Sequence, residues 1–312
     1  MVRFKNGDRV CFIGDSITAQ NRYVALIADH YKTNFPQEDI KFFNCGISGG
    51  TASLLMKYFD EDVRPHKPTH IFIMLGVNDS NRDALFLSNT KERDMQLKKA
   101  YENFKTNFSK LCQMAVTEGA ELTVLTPPPY AEYQPSEREV HKGGFKLIFK
   151  YADYIKNHCE EKGYRVFDIH TFIAEQTKTN ILYNDDRIHP NDLGHYYIAK
   201  CFLKNQGLEI GEFKDFPAYL EKWRQAVISY RGIYAVEHMV IKDDAATPKQ
   251  KVEFIKNYLI NQKYLNPNRT ESVNLFFKKI AEEYVENKLN QSELYLQIDK
   301  FFDETKYDRN ED

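Results

Sequence analysis

RVCFIGDSIT, residues 9–18, is the stretch of sequence that decides the fold. Within residues 9–13, every residue after the first is apolar, which is typical of a strand that is covered on both faces. Gly14 then allows a tight turn, and an amphipathic helical pattern follows Ser16. A serine at such a turn lies beside a helix N-terminus, where backbone N–H groups stabilise negative charge. Ser16 is also an ordinary helix-capping residue type, so this tripeptide alone does not assign chemistry.

The same pattern repeats along the first two thirds of the chain. Further apolar runs, rich in valine, isoleucine and phenylalanine, lie at residues 40–43, 70–75, 122–126 and 165–169. Helical patterns separate them, at residues 23–31, 91–118 and 139–162, and a last one covers residues 192–205. This alternation predicts a three-layer α/β/α sandwich around a five-stranded parallel sheet. In such sheets the active site forms at the carboxyl ends of the strands.

The pattern changes from residue 211 onward, where strand-like runs disappear. We therefore predict a first domain of residues 1–210 and an all-helical C-terminal extension of residues 211–312, with helix breaks at Thr247-Pro248 and Asn266-Pro267. Large aromatic side chains on its helices need a surface to pack against, either within the chain or in a homo-oligomer. Two apolar stripes carry them: Trp223, Ala226, Val227, Tyr230, Ile233 and Tyr234 in the first, and Val273, Phe276, Phe277, Ile280, Tyr284 and Val285 in the second.

The composition indicates which classes of binding partner and cofactor are to be expected. The 43 basic and 45 acidic residues nearly balance and no basic run stands out, so we expect no nucleic-acid partner. The five cysteines are scattered without zinc-ligand spacing, and we expect neither a metal nor another cofactor. An apolar run of about 20 residues is absent, so we expect no membrane span. Without a signal-peptide pattern the expected location is the cytoplasm, although a secreted chain whose leader was removed would look the same.

Three further segments accompany predicted strand ends or the last helix of the sheet domain. They are NCGISGG at residues 44–50, GVND at residues 76–79 and DRIHP at residues 186–190. Each offers a group that acyl transfer needs: backbone N–H donors, a side-chain amide, and a carboxylate with an imidazole. Taken singly, each segment is also ordinary turn chemistry.

The four segments together resemble, in content and in order, the SGNH (GDSL-like) hydrolase family. The resemblance covers roughly residues 9–205 and implies that family's flavodoxin-like sheet. It implies that Ser16 in GDSIT is the nucleophile and that Asp186 and His189 in DxxH are the acid and base partners. Asp185 is an acidic neighbour of Asp186, and family spacing favours Asp186. The resemblance gives His195 no role, so we expect it in the core or at the surface of the following helix.

The resemblance also implies an oxyanion hole. The Ser16 backbone N–H, the side-chain amide of Asn78 in GxND and a glycine backbone N–H would form it. NxxISG aligns that glycine with Gly49, and Gly46 remains an alternative.

The function implied is a serine esterase of short-chain carboxylic esters, acting on a small molecule or on O-acetyl groups of a saccharide. A lysophospholipase or thioesterase of the same family, and a non-catalytic glycan-binding module, are the alternatives. Asp15 and Thr18 are expected to organise the nucleophile turn. After the fourth strand, Tyr130 or Tyr133 is expected to contact substrate. The polar segment 80–92 either covers the site or simply leads into the next helix.

Overall fold

A computed structural model describes residues 3–211, 247–248, 252, 271–286, 288 and 297 of the chain. The chain divides into two compact units, Met1–Arg231 and Gly232–Asp312. The boundary predicted after residue 210 lies where the continuous described segment ends, so it stays a prediction.

The first unit is built on a five-stranded sheet in the order β2-β1-β3-β4-β5. All pairings are parallel, as the strand–helix alternation predicts. The strands are β1 Arg9–Gly14, β2 Lys41–Gly46, β3 His70–Met74, β4 Glu121–Leu125 and β5 Arg165–Phe167.

Helices connect the strands and cover both faces of the sheet. They are α1 Ser16–Ala19, α2 Arg22–Asn34, α3 Ala52–Asp62, α4 Thr90–Thr117, α5 Gly144–Lys162, α6 Ile169–Gln176 and α7 Asp192–Asn205, with short 3₁₀ helices at Arg64–His66 and Arg82–Phe86.

Alternate residues of each strand feed two separate cores. In β1, Val10 and Phe12 pack in a cluster with side chains of α2, α6 and α7. Cys11 and Ile13 pack on the opposite face with side chains of α3, α4 and α5. Because side chains alternate across a strand, one apolar run supplies both cores. The predicted three-layer α/β/α sandwich is therefore confirmed.

Two of the element boundaries that differ from the sequence prediction have a clear local cause. Helix α5 begins at Gly144 rather than near residue 139, because the Glu132 carboxylate accepts hydrogen bonds from the backbone N–H groups of Gly143 (2.8 Å) and Phe145 (3.0 Å) and caps the helix there. Strand β5 ends at Phe167 and not at residue 169. The Asp168 side chain accepts from the Thr171 N–H and starts α6.

The register aligns the carboxyl ends of the strands. Gly14 pairs with Gly46 on one side and with Met74 on the other, and Met74 pairs with Leu125. The loops after β1, β2, β3 and β4 therefore leave from one edge of the sheet. Strand order reverses between β1 and β3, which is where open α/β sheets place their ligand sites.

In the second unit the structure describes one long helix, α8 Glu271–Val285. It carries the second predicted stripe, and its Ile280 and Ala281 are fully buried. Pro248 is helical and Thr247 is not, as their predicted position at a helix start requires. The first predicted stripe and Asn266-Pro267 lie outside the described residues. No helix among the described residues is long and apolar enough to cross a membrane.

Candidate active site

The turn after β1 presents Ser16 as the first residue of α1. The buried Asp15 caps this helix, its Oδ1 accepting from the Ile17 N–H at 2.9 Å. Thr18 folds back beneath the turn, where its Oγ1 lies 2.9 Å from the Tyr23 hydroxyl. A Cβ added at Gly14 would lie 2.1 Å from Thr18 Oγ1, so only glycine fits there. Asp15 and Thr18 thus organise the turn, as the sequence predicts.

An unbroken line of hydrogen bonds runs from Ser16 to Asp186. Ser16 Oγ lies 2.8 Å from His189 Nε2, and His189 Nδ1 lies 2.6 Å from Asp186 Oδ2. In the tautomer with the proton on Nδ1, the serine hydroxyl donates to Nε2 and the imidazole donates to the carboxylate. The two halves come from positions 173 residues apart in the chain. The structure thus brings together the three residues that the GDSIT and DxxH segments single out.

The Asp186 carboxylate also holds its own loop. Its Oδ1 accepts from the backbone N–H groups of Ile188 and His189, each at 2.9 Å. Partial burial raises the pKa of Asp186, but the hydrogen bonds from the His189 side chain and from these two N–H groups outweigh it, so the pKa lies below its ordinary value. The carboxylate is therefore ionised at neutral pH and fixes the imidazole orientation.

Other acidic and histidine candidates are placed elsewhere. Asp185 is exposed, and its backbone carbonyl accepts from Ser136 Oγ. His195 is fully buried on α7, with Nε2 3.1 Å from Gln20 Oε1, and burial holds its pKa well below the ordinary value. It is a core residue, one of the two positions that the sequence allowed.

Arg187, between the aspartate and the histidine, is a residue whose part the sequence did not reveal. It is buried and adopts φ of 60°, which is uncommon for a residue with a side chain. Its guanidinium donates to three backbone carbonyls, those of Gln134 (3.1 Å), Ser136 (3.1 Å) and Arg138 (2.6 Å). The side chain therefore fastens the loop of Asp186 and His189 to residues 134–138.

The loop after β2 distinguishes the two candidate glycines. The Gly46 N–H donates to Asn44 Oδ1 at 3.0 Å, and an added Cβ at Gly46 would lie 2.5 Å from the Ala19 backbone nitrogen. Gly46 is thus packed against α1 with its N–H engaged. Gly49 is exposed, adopts φ of 73° and has open space beside it. Within the described ranges its N–H donates no hydrogen bond.

The loop after β3 is tied to the end of the glycine loop. Asn78 Nδ2 donates to the Gly50 carbonyl at 3.1 Å, and Asp79 Oδ1 accepts from the Ala52 N–H at 2.9 Å. Asn78 is partly exposed and keeps a second amide hydrogen for another acceptor. The two bonds set the position of Asn78 relative to residues 49–52.

Two carboxyl groups next to Ser16 and Asn78 in the chain are shielded from solvent: Asp15 is buried, and Asp79 is half-buried with its Oδ2 inaccessible. Burial raises the pKa of Asp15 to about 6, although the Ile17 N–H and the charges of His189 and Arg82 counteract it. Burial likewise raises the pKa of Asp79 to about 7, and the nearby Asp15 adds to the rise. Among the described residues, Asp79 Oδ2 and Arg82 Nε find no hydrogen-bond partner. A buried carboxyl with an unpaired oxygen favours its protonated form.

The two candidate rim tyrosines differ. Tyr130 is buried, and its hydroxyl lies 3.1 Å from His141 Nδ1 and accepts from the His141 N–H, so it belongs to the framework. Tyr133 is 83% exposed. The segment 80–92 contains the 3₁₀ helix Arg82–Phe86 and leads into α4. Its Asp83 Oδ1 lies 3.1 Å from His141 Nε2, which links this segment to the loop after β4.

A serine in line with a histidine and an aspartate, at the carboxyl edge of a parallel α/β sheet, is the arrangement of serine hydrolases. The chain belongs to the GDSL-like Lipase/Acylhydrolase family, whose model matches residues 12–197. It is therefore an SGNH hydrolase, as the four segments indicate, and an esterase that hydrolyses carboxylic esters. The alternative of a non-catalytic glycan-binding module is set aside.

Several known proteins are similar over the same region. An acetylxylan esterase of Geobacillus stearothermophilus is 27% identical over 230 residues, which cover 67% of this chain and 98% of that protein. The solved structure of a variant of that esterase has a TM-score of 0.56 and 27% identity, and the match covers 67% of this chain and 99% of the other. The structure of a gut microbial diltiazem-metabolizing enzyme has a TM-score of 0.60 and 31% identity. That match covers 66% of this chain but only 48% of the other, so this chain corresponds to about half of that enzyme.

Proposed function

We propose that this esterase removes O-acetyl groups from carbohydrates, with Ser16 as nucleophile, His189 as base and Asp186 as its orienting partner. The observation that carries the proposal is the line of two hydrogen bonds, 2.8 Å and 2.6 Å long, that joins the three side chains. Nucleophile and base must lie within hydrogen-bond reach for such chemistry, and the base must itself be held by a third group.

In the first step, Ser16 Oγ attacks the acetyl carbonyl carbon while His189 Nε2 takes the hydroxyl proton. Asp186 stabilises the imidazolium that forms. Collapse of the tetrahedral intermediate breaks the bond to the sugar oxygen, and His189 returns the proton to that leaving oxygen. The products of this step are the free sugar hydroxyl and an acetyl ester of Ser16.

In the second step, water repeats the sequence on the acetyl-enzyme. His189 takes a proton from the water, whose oxygen adds to the acetyl carbon. The intermediate expels Ser16 Oγ, which regains its proton from His189. Acetate leaves and the free enzyme is restored.

Three donors would meet the negative oxygen of each tetrahedral intermediate. We assign them to the Ser16 N–H, the Gly49 N–H and the Asn78 side chain. As the first residue of α1, Ser16 has no acceptor for its N–H within the helix. Gly49 is preferred to Gly46 because the Gly46 N–H already donates to Asn44. Each donor of this kind typically lowers the barrier by about 3–4 kcal/mol.

The substrate class rests on the relatives. The curated relative is described as an acetylxylan esterase. Two solved structures at 26% identity are catalytic mutants of that esterase, one at an aspartate and one at a histidine three positions later. Asp186 and His189 have the same spacing here. These parallels support both the assigned roles and a saccharide acetyl ester as substrate.

The test compares wild type with Ser16→Ala on nitrophenyl acetate, butyrate and octanoate and on acetylated xylo-oligosaccharides. We expect turnover to be greatest for the acetyl esters and to fall by at least about a thousandfold in Ser16→Ala. Ser53→Ala, an exposed serine on α3, is the matched control and should keep full activity. Intact activity in Ser16→Ala would refute the nucleophile assignment.

The same series tests the alternatives for the substrate. Faster turnover of octanoate than of acetate would indicate a lysophospholipase-like enzyme. Preference for an acyl thioester over the matching oxygen ester would indicate a thioesterase. Either outcome would replace the acetyl-saccharide substrate while leaving the three catalytic roles in place.

We also propose a reducing compartment, the cytoplasm, and self-association through the C-terminal helices. All five cysteines are free and buried, as expected where thiols stay reduced. The described helix α8 is amphipathic, with Leu275 58% exposed. Cell fractionation tests the first proposal. Light scattering of the full chain and of a chain truncated after residue 210 tests the second, since loss of an oligomer on truncation is expected.

A further inference from the structure

A cavity of about 290 Å³ lies beside the loop that carries Asp186 and His189. Its walls are residues 129–135 after β4, Phe145 at the start of α5, and residues 177–181 after α6. Gln134 joins the wall to the catalytic loop: its side-chain Nε2 donates to the Tyr183 carbonyl at 2.9 Å and its Oε1 accepts from the Tyr183 N–H at 3.1 Å. The backbone carbonyl of Gln134 is one of the three that Arg187 holds. Gln134 therefore connects the wall of the cavity to the loop that carries His189.

Exposed apolar surface borders this cavity. Tyr133 is 83% exposed and Ile181 is 61% exposed, although both line the same cavity. The Tyr133 and Phe145 rings lie 6.4 Å apart at a tilt of 48°. The Tyr133 ring thus presents an open aromatic face, with nothing in the described part of the chain stacked flat upon it. An exposed ring beside a concave surface is a common sign of a ligand site.

The charged side chains of the lining already have partners. The Glu132 carboxylate accepts from the N–H groups of Gly143 and Phe145, and caps α5. Lys178 Nζ lies 2.6 Å from Glu175 Oε2. The remaining polar lining consists of hydroxyl, amide and backbone groups, including those of Thr177, Thr179 and Asn180. Such a lining offers hydrogen bonds, and both of its charged side chains are already engaged by other groups of the chain, which suits a neutral ligand rich in hydroxyl groups.

We propose that this cavity is a subsite for a neutral sugar ring of a glycan chain, with the ring stacked on Tyr133 while a neighbouring sugar presents its acetyl ester to Ser16. The orientation of the glycan chain, with its acetyl ester at Ser16, rests on the proposed function. The cavity volume is at the small end of ordinary ligand pockets, so it holds one or two rings and not a whole chain. Aliphatic C–H faces of a pyranose pack on the ring, and its hydroxyl groups face the threonine and asparagine side of the cavity.

The subsite makes glycan esters better substrates than small acetyl esters, and Tyr133 carries much of the difference. For Tyr133→Ala we expect kcat/KM on acetylated xylo-oligosaccharides to fall about tenfold more than kcat/KM on nitrophenyl acetate. The loss should lie in KM rather than kcat, because stacking on a neighbouring ring is the same in ground and transition states. Tyr133→Trp, which keeps an aromatic face, should restore most of the selectivity.

The closing experiment measures binding without turnover. Calorimetric titration of Ser16→Ala with unacetylated xylotetraose, cellotetraose and mannotetraose is compared with the same titrations of the double variant Ser16→Ala/Tyr133→Ala. Ser16→Ala/Met95→Ala is the matched control, because Met95 is a 64% exposed apolar side chain on α4. We expect at least one neutral tetrasaccharide to bind, and its affinity to fall about tenfold with Tyr133→Ala and to stay constant with Met95→Ala.

Two outcomes would overturn the subsite: no binding of any of the tetrasaccharides at millimolar concentration, or binding that Tyr133→Ala leaves unchanged. Neither outcome affects the proposed catalytic roles, which depend on turnover of nitrophenyl acetate and its loss in Ser16→Ala. Conversely, absent turnover of every acetyl ester with intact, Tyr133-dependent glycan binding would refute the proposed function and leave the subsite standing.

Discussion

The two halves of the site are held in place by different physical means. On the nucleophile side, Ser16 lies on a turn fixed by close packing, where Gly14 contacts Thr18 and Gly46 contacts the backbone of α1 so closely that neither tolerates a Cβ. On the base side, Asp186 and His189 lie in an irregular loop, with side chains 23% and 29% exposed. Hydrogen bonds, many of them from one arginine, hold that loop.

Because of this difference, substitutions on the two sides of the site are expected to damage different properties, folding stability on one side and activity on the other. A change behind Ser16 acts through packing and is expected to lower folding stability first, because a tightly packed turn cannot absorb extra volume. A change in the 184–190 loop removes hydrogen bonds and is expected to move the base relative to the nucleophile. Small displacements of that kind cost activity before they cost folding.

Removal of the base or its partner is expected to have the largest effect. His189→Ala and Asp186→Ala should each lower kcat by on the order of 10³-fold or more, because the three side chains act as a unit. The double variant Ser16→Ala/His189→Ala should be little worse than either single variant. Initial rates on nitrophenyl acetate provide the measurement, and circular dichroism checks that each variant is folded.

Asp185→Ala is the matched control for Asp186→Ala, because the two acidic residues are adjacent and Asp185 is exposed. It should keep nearly full activity. A greater loss in Asp185→Ala than in Asp186→Ala would contradict the hydrogen-bond geometry at His189.

Substitution of Asn78 is expected to have the next largest effect. Asn78→Ala should lower kcat by about a hundredfold while KM changes little, because an oxyanion donor acts in the transition state. Asn157→Ala, at an exposed position on α5, is the control and should change neither constant. An effect confined to KM would instead identify Asn78 as a substrate-binding residue.

Sequence was sufficient for the parts of the molecule that depend on short-range pattern. The alternation of apolar runs with helical patterns predicted the sheet, and the turn after β1 predicted the position of Ser16, because strand ends in a parallel sheet share an edge. The spacing of Asp186 and His189 predicted their contact, since an interval of three residues lets one loop present both side chains.

Sequence was insufficient where a contact depends on two distant segments. Nothing in the segment DRIHP indicates that Arg187 reaches the carbonyls of residues 134–138, because those carbonyls have no signature in the side-chain sequence. For the same reason Tyr130 and Tyr133 could not be separated, although one is buried and the other 83% exposed. The shielding of the Asp79 carboxyl likewise depends on how the loops after β2 and β3 meet.

The arginine offers the sharpest test of the base-side network. Arg187→Lys keeps the charge but cannot reach three carbonyls with a planar fork, so the loop should lose its attachment to residues 134–138. We expect kcat to fall about tenfold, with a loss of about 1–3 kcal/mol in the free energy of unfolding. Arg93→Lys on α4 is the control for the same chemical change. Unchanged kcat in Arg187→Lys would show that the loop does not need the attachment.

Substitution of Asp79 is expected to have the smallest effect on activity, together with an effect on stability that depends on pH. Burial raises its pKa from 3.8 to about 7. Between these values the folded protein binds more protons than the unfolded chain, so this group makes the folded state less stable as pH rises through that window, with the full loss reached above about pH 7. Asp79→Asn cannot ionise and keeps an oxygen that accepts from the Ala52 N–H.

We therefore compare the free energy of unfolding of Asp79→Asn with that of wild type at two pH values. The difference in favour of the variant should be larger at pH 8 than at pH 4, by on the order of 2 kcal/mol. Urea titrations at the two pH values measure it, and Asp94→Asn, at a carboxylate 72% exposed on α4, should show no such difference. Asp15 has the same sign of effect and remains in both proteins, as do Arg82 and His189. On nitrophenyl acetate the variant should retain most of the wild-type kcat, because Asp79 holds the glycine loop through an oxygen that asparagine also has. A variant that is less stable than wild type at pH 8 would mean that the Asp79 carboxylate is ionised and paired in the folded protein. A charged group would then help to hold the nucleophile side of the site, in addition to close packing.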